Sequence, residues 1–248
     1  VPLEHAATQY DLGNAWCALP GSDRTANLRR SVAAYERALS IYTRDETPLE
    51  WARAQIGLGK AYAELQADDW QGNLQRALVA YEQALAVLTP EGEPAETLAA
   101  WTGLGVALLS LHAGARAAHV ERAISCFTEA LSLCHVENAP LDYARLQHNL
   151  ANAYLGRPGG NRAANAQQAI ACCREALRHR TRQDAPLDYA ATQCALGSAY
   201  AALPTGDRAE NLQRAITCCR EALEVVSASI DSRAPVLARR VFGEEWDL

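Results

Sequence analysis

Eight cysteines and six histidines carry most of the latent chemistry in this 248-residue chain. Thiolates and imidazoles hold zinc, and thiols exchange electrons. The cysteines stand at Cys17, Cys126, Cys134, Cys172, Cys173, Cys194, Cys218 and Cys219. None forms C-x-x-C, and no His lies at zinc-finger spacing from a Cys pair, so the spacing reads as structural thiols rather than a metal or redox centre. The neighbouring acids Asp68–Asp69 and Glu244–Glu245 fall in polar stretches and read as solvated surface. The segment GRPGGNR (156–162) has the glycines and arginines of an anion-binding loop. Similar loops recur at 21–24 and 206–208, however, and Arg24, Arg116, Arg162 and Arg208 recur in register with them. A feature repeated that often is expected to be structural, its arginines bonding helix-end carbonyls or the loop acids Asp23 and Asp207. His148 has no Ser or Cys partner in sequence. Nothing in the spacing recommends a catalytic constellation, and a protein that is not an enzyme and has no cofactor is expected.

The residues that remain are positioned by a repeat. Pro2, Pro48, Pro94, Pro140 and Pro186 are 46 residues apart, defining five ungapped repeats: 1–46, 47–92, 93–138, 139–184 and 185–230. A tail, 231–248, contains Pro235, Val236, Leu237, Val241, Phe242 and Trp246. It reads as a capping helix in preference to a partial sixth repeat, because its proline is out of register. Each repeat reads as two helices of about 17 residues, hence about 25 Å long. Proline opens the first helix, where its missing N–H is harmless. Leu12, Leu58, Leu104, Leu150 and Leu196 form one column, with alanines three residues on and Trp16, Tyr62, Leu108, Tyr154 and Tyr200 four residues on. That spacing lies on one helical face. Gly13, Gly59, Gly105, Ala151 and Gly197 form a mid-helix column; each glycine costs about 1 kcal/mol against Ala and predicts a close helix–helix approach. Asn27, Asn73, Asn165 and Asn211 close the polar loop and are expected to cap the second helix. That helix carries the column Tyr35, Tyr81, Phe127, Cys173 and Cys219, so Cys173 and Cys219 are expected to be buried, and Cys172 and Cys218 to face elsewhere.

Composition excludes several classes. Hydrophobic residues make up 49% of the chain, ample for a core, and the formal net charge is −6. That acidity gives no reason to expect a nucleic acid. No apolar run approaches the roughly 18 residues of a membrane span, and no export signal opens the chain. Free thiols fit a reducing cytoplasm. The absence of any Met predicts a processed chain or a segment of a longer one.

The ordered pattern L-G-x-x-[YW] and A-x-x-x-[YF]-x-x-A resembles the tetratricopeptide repeat; in the second repeat it reads Leu58-Gly59, Tyr62, Ala77, Tyr81 and Ala84. The likeness covers residues 1–230. The sequence departs from the usual pattern in its 46-residue period, in Gln9, Gln55, Gln147 and Gln193 at the early aromatic column (only Trp101 keeps it), and in Cys173 and Cys219. It looks most like long bacterial variants found beside protease or nucleotide-switch domains of signalling proteins. The resemblance implies an all-α, helical-hairpin repeat solenoid, a right-handed superhelix, whose first helices line a concave groove that binds a peptide or protein segment. Carrying the family's groove positions over gives three columns on one face: Ala7, Arg53, Ala99, Arg145, Ala191; Tyr10, Ile56, Thr102, His148, Cys194; and Asn14, Lys60, Val106, Asn152, Ser198. The family's groove asparagines hold ligand backbone, and Asn14 and Asn152 match that column. The family's carboxylate clamp for chaperone tails is not matched.

Charge singles out one station. The fourth repeat carries seven arginines (145, 157, 162, 174, 178, 180 and 182) against three acids (142, 175 and 184), seven minus three giving +4 inside an acidic chain. The expected partner is therefore a protein or peptide with an acidic segment. Arg145, His148 and Asn152, with Arg53 and Lys60, are the expected polar anchors, and Tyr10 and Asn14 extend the groove. The bland alternative is a solvated face whose arginines pair with acids of the next repeat. Rival readings are a sensor module gating a larger bacterial signalling protein, a thiol-based metal or redox protein, and helical-repeat RNA binding, which the acidity opposes. An open apolar end also allows a weak homodimer.

Overall fold

The computed structural model describes residues 1–21, 23–66, 69–111 and 115–242, with the backbone alone for 230–242. Asp68, the Glu244–Glu245 pair and Trp246 lie outside the described residues, as do the tail side chains that would distinguish a cap from a sixth repeat. The ten helices among them are α1 (Pro2–Ala18), α2 (Arg24–Leu39), α3 (Pro48–Glu64), α4 (Trp70–Leu85), α5 (Pro94–Ser110), α6 (Arg116–Leu133), α7 (Pro140–Leu155), α8 (Arg162–His179), α9 (Pro186–Ala202) and α10 (Arg208–Phe242). No strand occurs among the described residues. The chain packs as two compact bodies, 1–135 and 136–248. The first holds three helical hairpins and the second holds two.

Each of the five repeat prolines opens an odd-numbered helix. Each even-numbered helix folds back on the helix before it, and the next odd-numbered helix of the same body packs on that hairpin. Within each body successive odd-numbered helices also touch: α1 with α3, α3 with α5, and α7 with α9. Even-numbered helices make no such mutual packing among the described residues. The odd-numbered helices therefore crowd on the inner side of each body. The fold is an all-α helical-hairpin repeat solenoid.

The glycine column makes that packing possible. A Cβ on Gly13 would fall 2.6 Å from Tyr35 Cε1, on Gly59 3.0 Å from Tyr81 Cε1, and on Gly105 2.7 Å from Phe127 Cε1. Each aromatic ring of a second helix thus lies flat against its own first helix. A second contact was not visible in the column reading. A Cβ on Gly57 would fall 2.5 Å from Tyr35 Cζ, and on Gly103 2.3 Å from Tyr81 Cζ. Tyr35 and Tyr81 are therefore wedged between two successive first helices, with glycine on both sides. In the fourth repeat Cys173 replaces the ring and Ala151 replaces the glycine, so a smaller insert meets a larger neighbour.

Two expectations are corrected. The second helices begin three residues before the asparagines, and their caps lie four residues before. Asp23, Asp69 and Asn161 are the caps, accepting from the backbone N–H of Ala26 (3.1 Å), Gly72 (2.9 Å) and Ala164 (3.1 Å). Asp207 does the same for Ala209 and Glu210. The asparagines lie one turn inside and are buried. Their amides reach back to the loop: Asn73 Nδ2 donates to Leu65 O (3.0 Å), Asn165 to Gly159 O (3.4 Å) and Asn211 to Thr205 O (2.8 Å). They satisfy loop carbonyls rather than helix amides. The second correction concerns thiols. Cys219 is exposed rather than buried. Cys219 sits in the right column, but among the described residues no further first helix covers it.

Three of the four arginines of the loop column, Arg24, Arg116 and Arg208, bond helix-end carbonyls, as expected. Arg24 Nη1 donates to Cys17 O (2.5 Å), Arg116 Nη1 to Leu109 O (2.7 Å) and Leu111 O (3.0 Å), and Arg208 Nη1 to Ala201 O (2.6 Å). Each ties off the carbonyl end of the preceding helix. Arg24 also bridges to Glu64.

The wedge predicts the sign of one substitution. Gly103→Ala should gain about 1 kcal/mol of helix propensity but lose more to overpacking against Tyr81, typically 1–3 kcal/mol. Urea denaturation should show net destabilisation; an unchanged or raised midpoint would show that the ring is not confined there.

Candidate functional site

The expected anchors fall into two groups, one in each body. On α1, Tyr10 and Asn14 converge on the core tyrosine. Asn14 Oδ1 accepts from Tyr35 Oη at 2.7 Å, and the Tyr10 and Tyr35 rings lie 5.9 Å apart, tilted by 57°. Tyr10 is half-buried and Asn14 exposed. On α3, Arg53 and Lys60 are both exposed, two turns apart. Arg53 is already engaged: its Nε and Nη2 donate to Glu96 Oε1 of α5 at 2.8 and 2.6 Å. Burial raises the Glu96 carboxyl, but the Arg53 hydrogen bonds outweigh it and hold the group below the usual carboxylate range. Lys60 bridges to no carboxylate among the described residues.

In the 136–248 body, Arg145, His148 and Asn152 line one stripe of α7. Arg145 Nη2 donates to Asp142 Oδ1 of its own first turn at 2.7 Å, a pair exposed on both sides. His148 and Asn152 are joined at 3.0 Å between Nε2 and Nδ2. Asn Nδ2 can only donate, so His148 Nε2 accepts. On its other side His148 Nδ1 lies 3.3 Å from Thr192 Oγ1 of α9. The Thr192 hydroxyl already donates to Asp188 O at 2.7 Å, so it accepts from Nδ1–H. The ring is therefore neutral and in the Nδ1–H tautomer.

Behind this chain sits Arg180, which follows α8. Its Nη1 donates to Thr192 Oγ1 (3.0 Å) and to Asp188 O (3.5 Å). Arg180 is only 4% exposed, and its buried Nε has no hydrogen-bond partner. Burying a cation is costly unless it is paired. Arg180 makes no direct ion pair among the described residues; the exposed Asp188 carboxylate acts on it through space. Burial pulls the Arg180 pKa down, and Arg145 nearby pulls the same way against Asp188.

Arg180 and Thr192 were not among the residues read from the sequence as candidates, although the register marks both. Arg180 shares its column with Tyr42, Leu88 and Cys134, all buried. Thr192 shares its column with Ala54, Ala100 and Leu146, also buried, and with the exposed Thr8. At the buried positions of these two columns, the side chains that turn polar bond each other. The surplus charge of the fourth repeat is partly engaged elsewhere: Arg178 bridges Glu175, Arg182 bridges Glu224, and Arg174 donates to Tyr200 Oη at 2.6 Å.

The most deeply buried thiols offer little nucleophilic chemistry. Burial pushes Cys126 and Cys172 up to about 11 and Cys173 up to about 12. Among the described residues no three His, Cys, Asp or Glu side chains converge as a metal site. No described helix is long and apolar enough to cross a membrane.

No family model and no curated protein matches the chain. Among solved structures it is similar to BtubC (BKLC) from P. vanneervenii, with a TM-score of 0.60 and 19% identity over 92% of each chain. That likeness, to another helical-repeat protein, establishes the fold.

The His148 network predicts a pH dependence. Burial, then Arg180, lowers the His148 pKa against the opposing pull of Asp188. The unfolded chain holds its proton near the ordinary value of about 6.5. Between the lowered and ordinary values the unfolded state binds more protons, so stability is full above about 6.5 and falls as the pH drops below it. His148→Gln should remove that component: urea midpoints of wild type and variant should diverge as pH falls from about 7 to about 5. Parallel profiles would contradict a neutral His148.

Proposed function

We propose that the chain is a tetratricopeptide-type interaction module, not an enzyme, that binds an acidic segment of a partner protein on the α7 face of its 136–248 body. The observation that carries this reading is the polar cluster itself: exposed Arg145 and Asn152, half-buried His148, and buried Arg180 behind them. Arg180 and Thr192 are polar where the other buried members of their columns are Tyr42, Leu88 and Cys134, and Ala54, Ala100 and Leu146. An apolar pair would stabilise the packing at least as well, so a ligand is the better reason for the charge.

The chemistry suits a carboxylate. Asp142 already holds Arg145 in an exposed pair, and such a pair is worth little, typically 0.2–1 kcal/mol. A ligand carboxylate can displace it at small cost. Asn152 spends one amide N–H on His148, leaving the other to donate and Oδ1 to accept from a peptide backbone. Buried Arg180 adds positive potential without becoming a contact. On α3 the Arg53–Glu96 pair must open before Arg53 takes a ligand, so Lys60 is the readier cation there.

Selection of short random peptides on the immobilised chain tests this. The retained peptides should be rich in Asp and Glu, bind more weakly as salt rises, and be lost by an Arg145→Ala/His148→Ala/Asn152→Ala variant that circular dichroism shows folded. Peptides without acidic enrichment, or equal retention by the variant, would refute the assignment.

A further inference from the structure

The two ends of the array carry complementary halves of one seam. Inside the 1–135 body, the seam between the first repeat and α3 is built from Leu28, Val32, Tyr35 and Leu39 on α2. Opposite them stand Ala54, Leu58 and Ala61 of α3 and the following Leu65. Four periods of 46 residues on, the α2 stripe becomes Leu212, Ile216, Cys219 and Leu223 of α10. These four line an apolar groove of about 390 Å³ against α9. One period earlier, the α3 stripe becomes Thr8, Leu12, Ala15 and Leu19 on and just after α1.

Exposure separates the filled halves from the open ones. In the interior seam Leu28 is 2% exposed, Leu58 9% and Leu65 7%. At the ends Ile216 is 45% and Leu223 66% exposed, and Leu12 and Leu19 are 42% and 44% exposed. Thr8 and Ala15 are exposed where Ala54 and Ala61 are fully covered. The groove on α9 and α10 is shaped for a first helix, and α1 is a first helix whose matching face is uncovered.

The polar edge of the seam agrees. Between α8 and α9, Arg174 donates to Tyr200 Oη and its guanidinium lies 5.9 Å from the ring centroid. One period on from Arg174, Arg220 edges the open groove. The column of Tyr200, which takes both Arg174 and Arg214, holds Trp16 on α1; Arg30 lies 4.9 Å from that ring in the place of Arg214, and the place of Arg174 is left to Arg220 of a second copy.

We propose that two copies of this chain associate head to tail, α1 of one seating in the α9–α10 groove of the other and continuing the repeat across the junction. Such a contact is heterologous: each copy keeps one open half, so association continues until a ring closes or the ends run out. It buries leucine and isoleucine side chains now in water, the same driving force that joins repeats within the chain.

Sedimentation of the full chain over a concentration series, with two substitutions at exposed positions, tests it. The wild type should pass from monomer to dimer and larger species. Leu12→Glu and Ile216→Glu, each checked for fold by circular dichroism, should each be monomeric alone, since each lacks one half of the seam. Mixed together they should form a dimer and stop there, because only one intact junction can form. A wild type that stays monomeric, a Leu12→Glu chain that still self-associates through its groove, or a mixture that remains monomeric would each overturn the proposal.

Discussion

One steric constraint governs the 1–135 body: Tyr35 and Tyr81 of its second helices must be seated between successive first helices. Tyr35 and Tyr81 are nearly fully buried, each with glycine on both sides. The rings fix how closely a hairpin closes and how the next first helix sits on it within the 1–135 body. The alanine columns follow, because helices drawn that close leave no room for longer side chains; Ala38, Ala84, Ala61 and Ala107 are fully covered. Where the insert shrinks to Cys173, Ala151 takes up the space. The cost of glycine in mid-helix is offset by contacts made across the whole ring.

Much of this is legible in the amino-acid sequence, because a strict period turns packing into columns. The prolines, the Leu58 and Ala61 columns and the close approach at Gly59 follow from spacing alone. Gly57 and Gly103 escape such a reading because their reason lies in the repeat before them, and their column also contains Asp11 and Asn149. The asparagines mislead for a chemical reason. Asn is a good cap, but here Asp23, Asp69 and Asn161 hold that position one turn earlier, and the buried asparagines tie down the loop. Column membership also assumes a neighbour on both sides, which fails for Cys219 at the last hairpin.

The candidate site was half legible. Arg145, His148 and Asn152 stand out as polar variation on a first-helix face; His148 and Asn152 are hydrogen-bonded to each other, with Thr192 and Arg180 behind them, while Arg145 pairs with Asp142. In the sequence Arg180 is one of seven arginines of its repeat. Its importance lies in burial, and burial depends on α9 closing over it. Arg53 and Arg145 show the reverse case: both are conspicuous in sequence, yet both hold local carboxylates, Glu96 and Asp142. Charge in a repeat protein gains meaning only once its neighbours are known, since exposed pairs add little to stability.

That contrast makes Arg180 the hinge of the functional account, which holds that a cation replaces an apolar seam residue for a reason other than stability. The direct measurement is the urea denaturation of Arg180→Leu, which restores the residue type of Leu88 in the same column. Thr192 keeps its bonds to Asp188 O and His148 in that variant. Exchanging a buried charge for a packed hydrophobe is commonly neutral or stabilising by about 1–4 kcal/mol, so the midpoint should hold or rise. A loss of about 3–5 kcal/mol, the cost of breaking a buried ionic network, would show that Arg180 is retained for folding and would remove the ground for a ligand there.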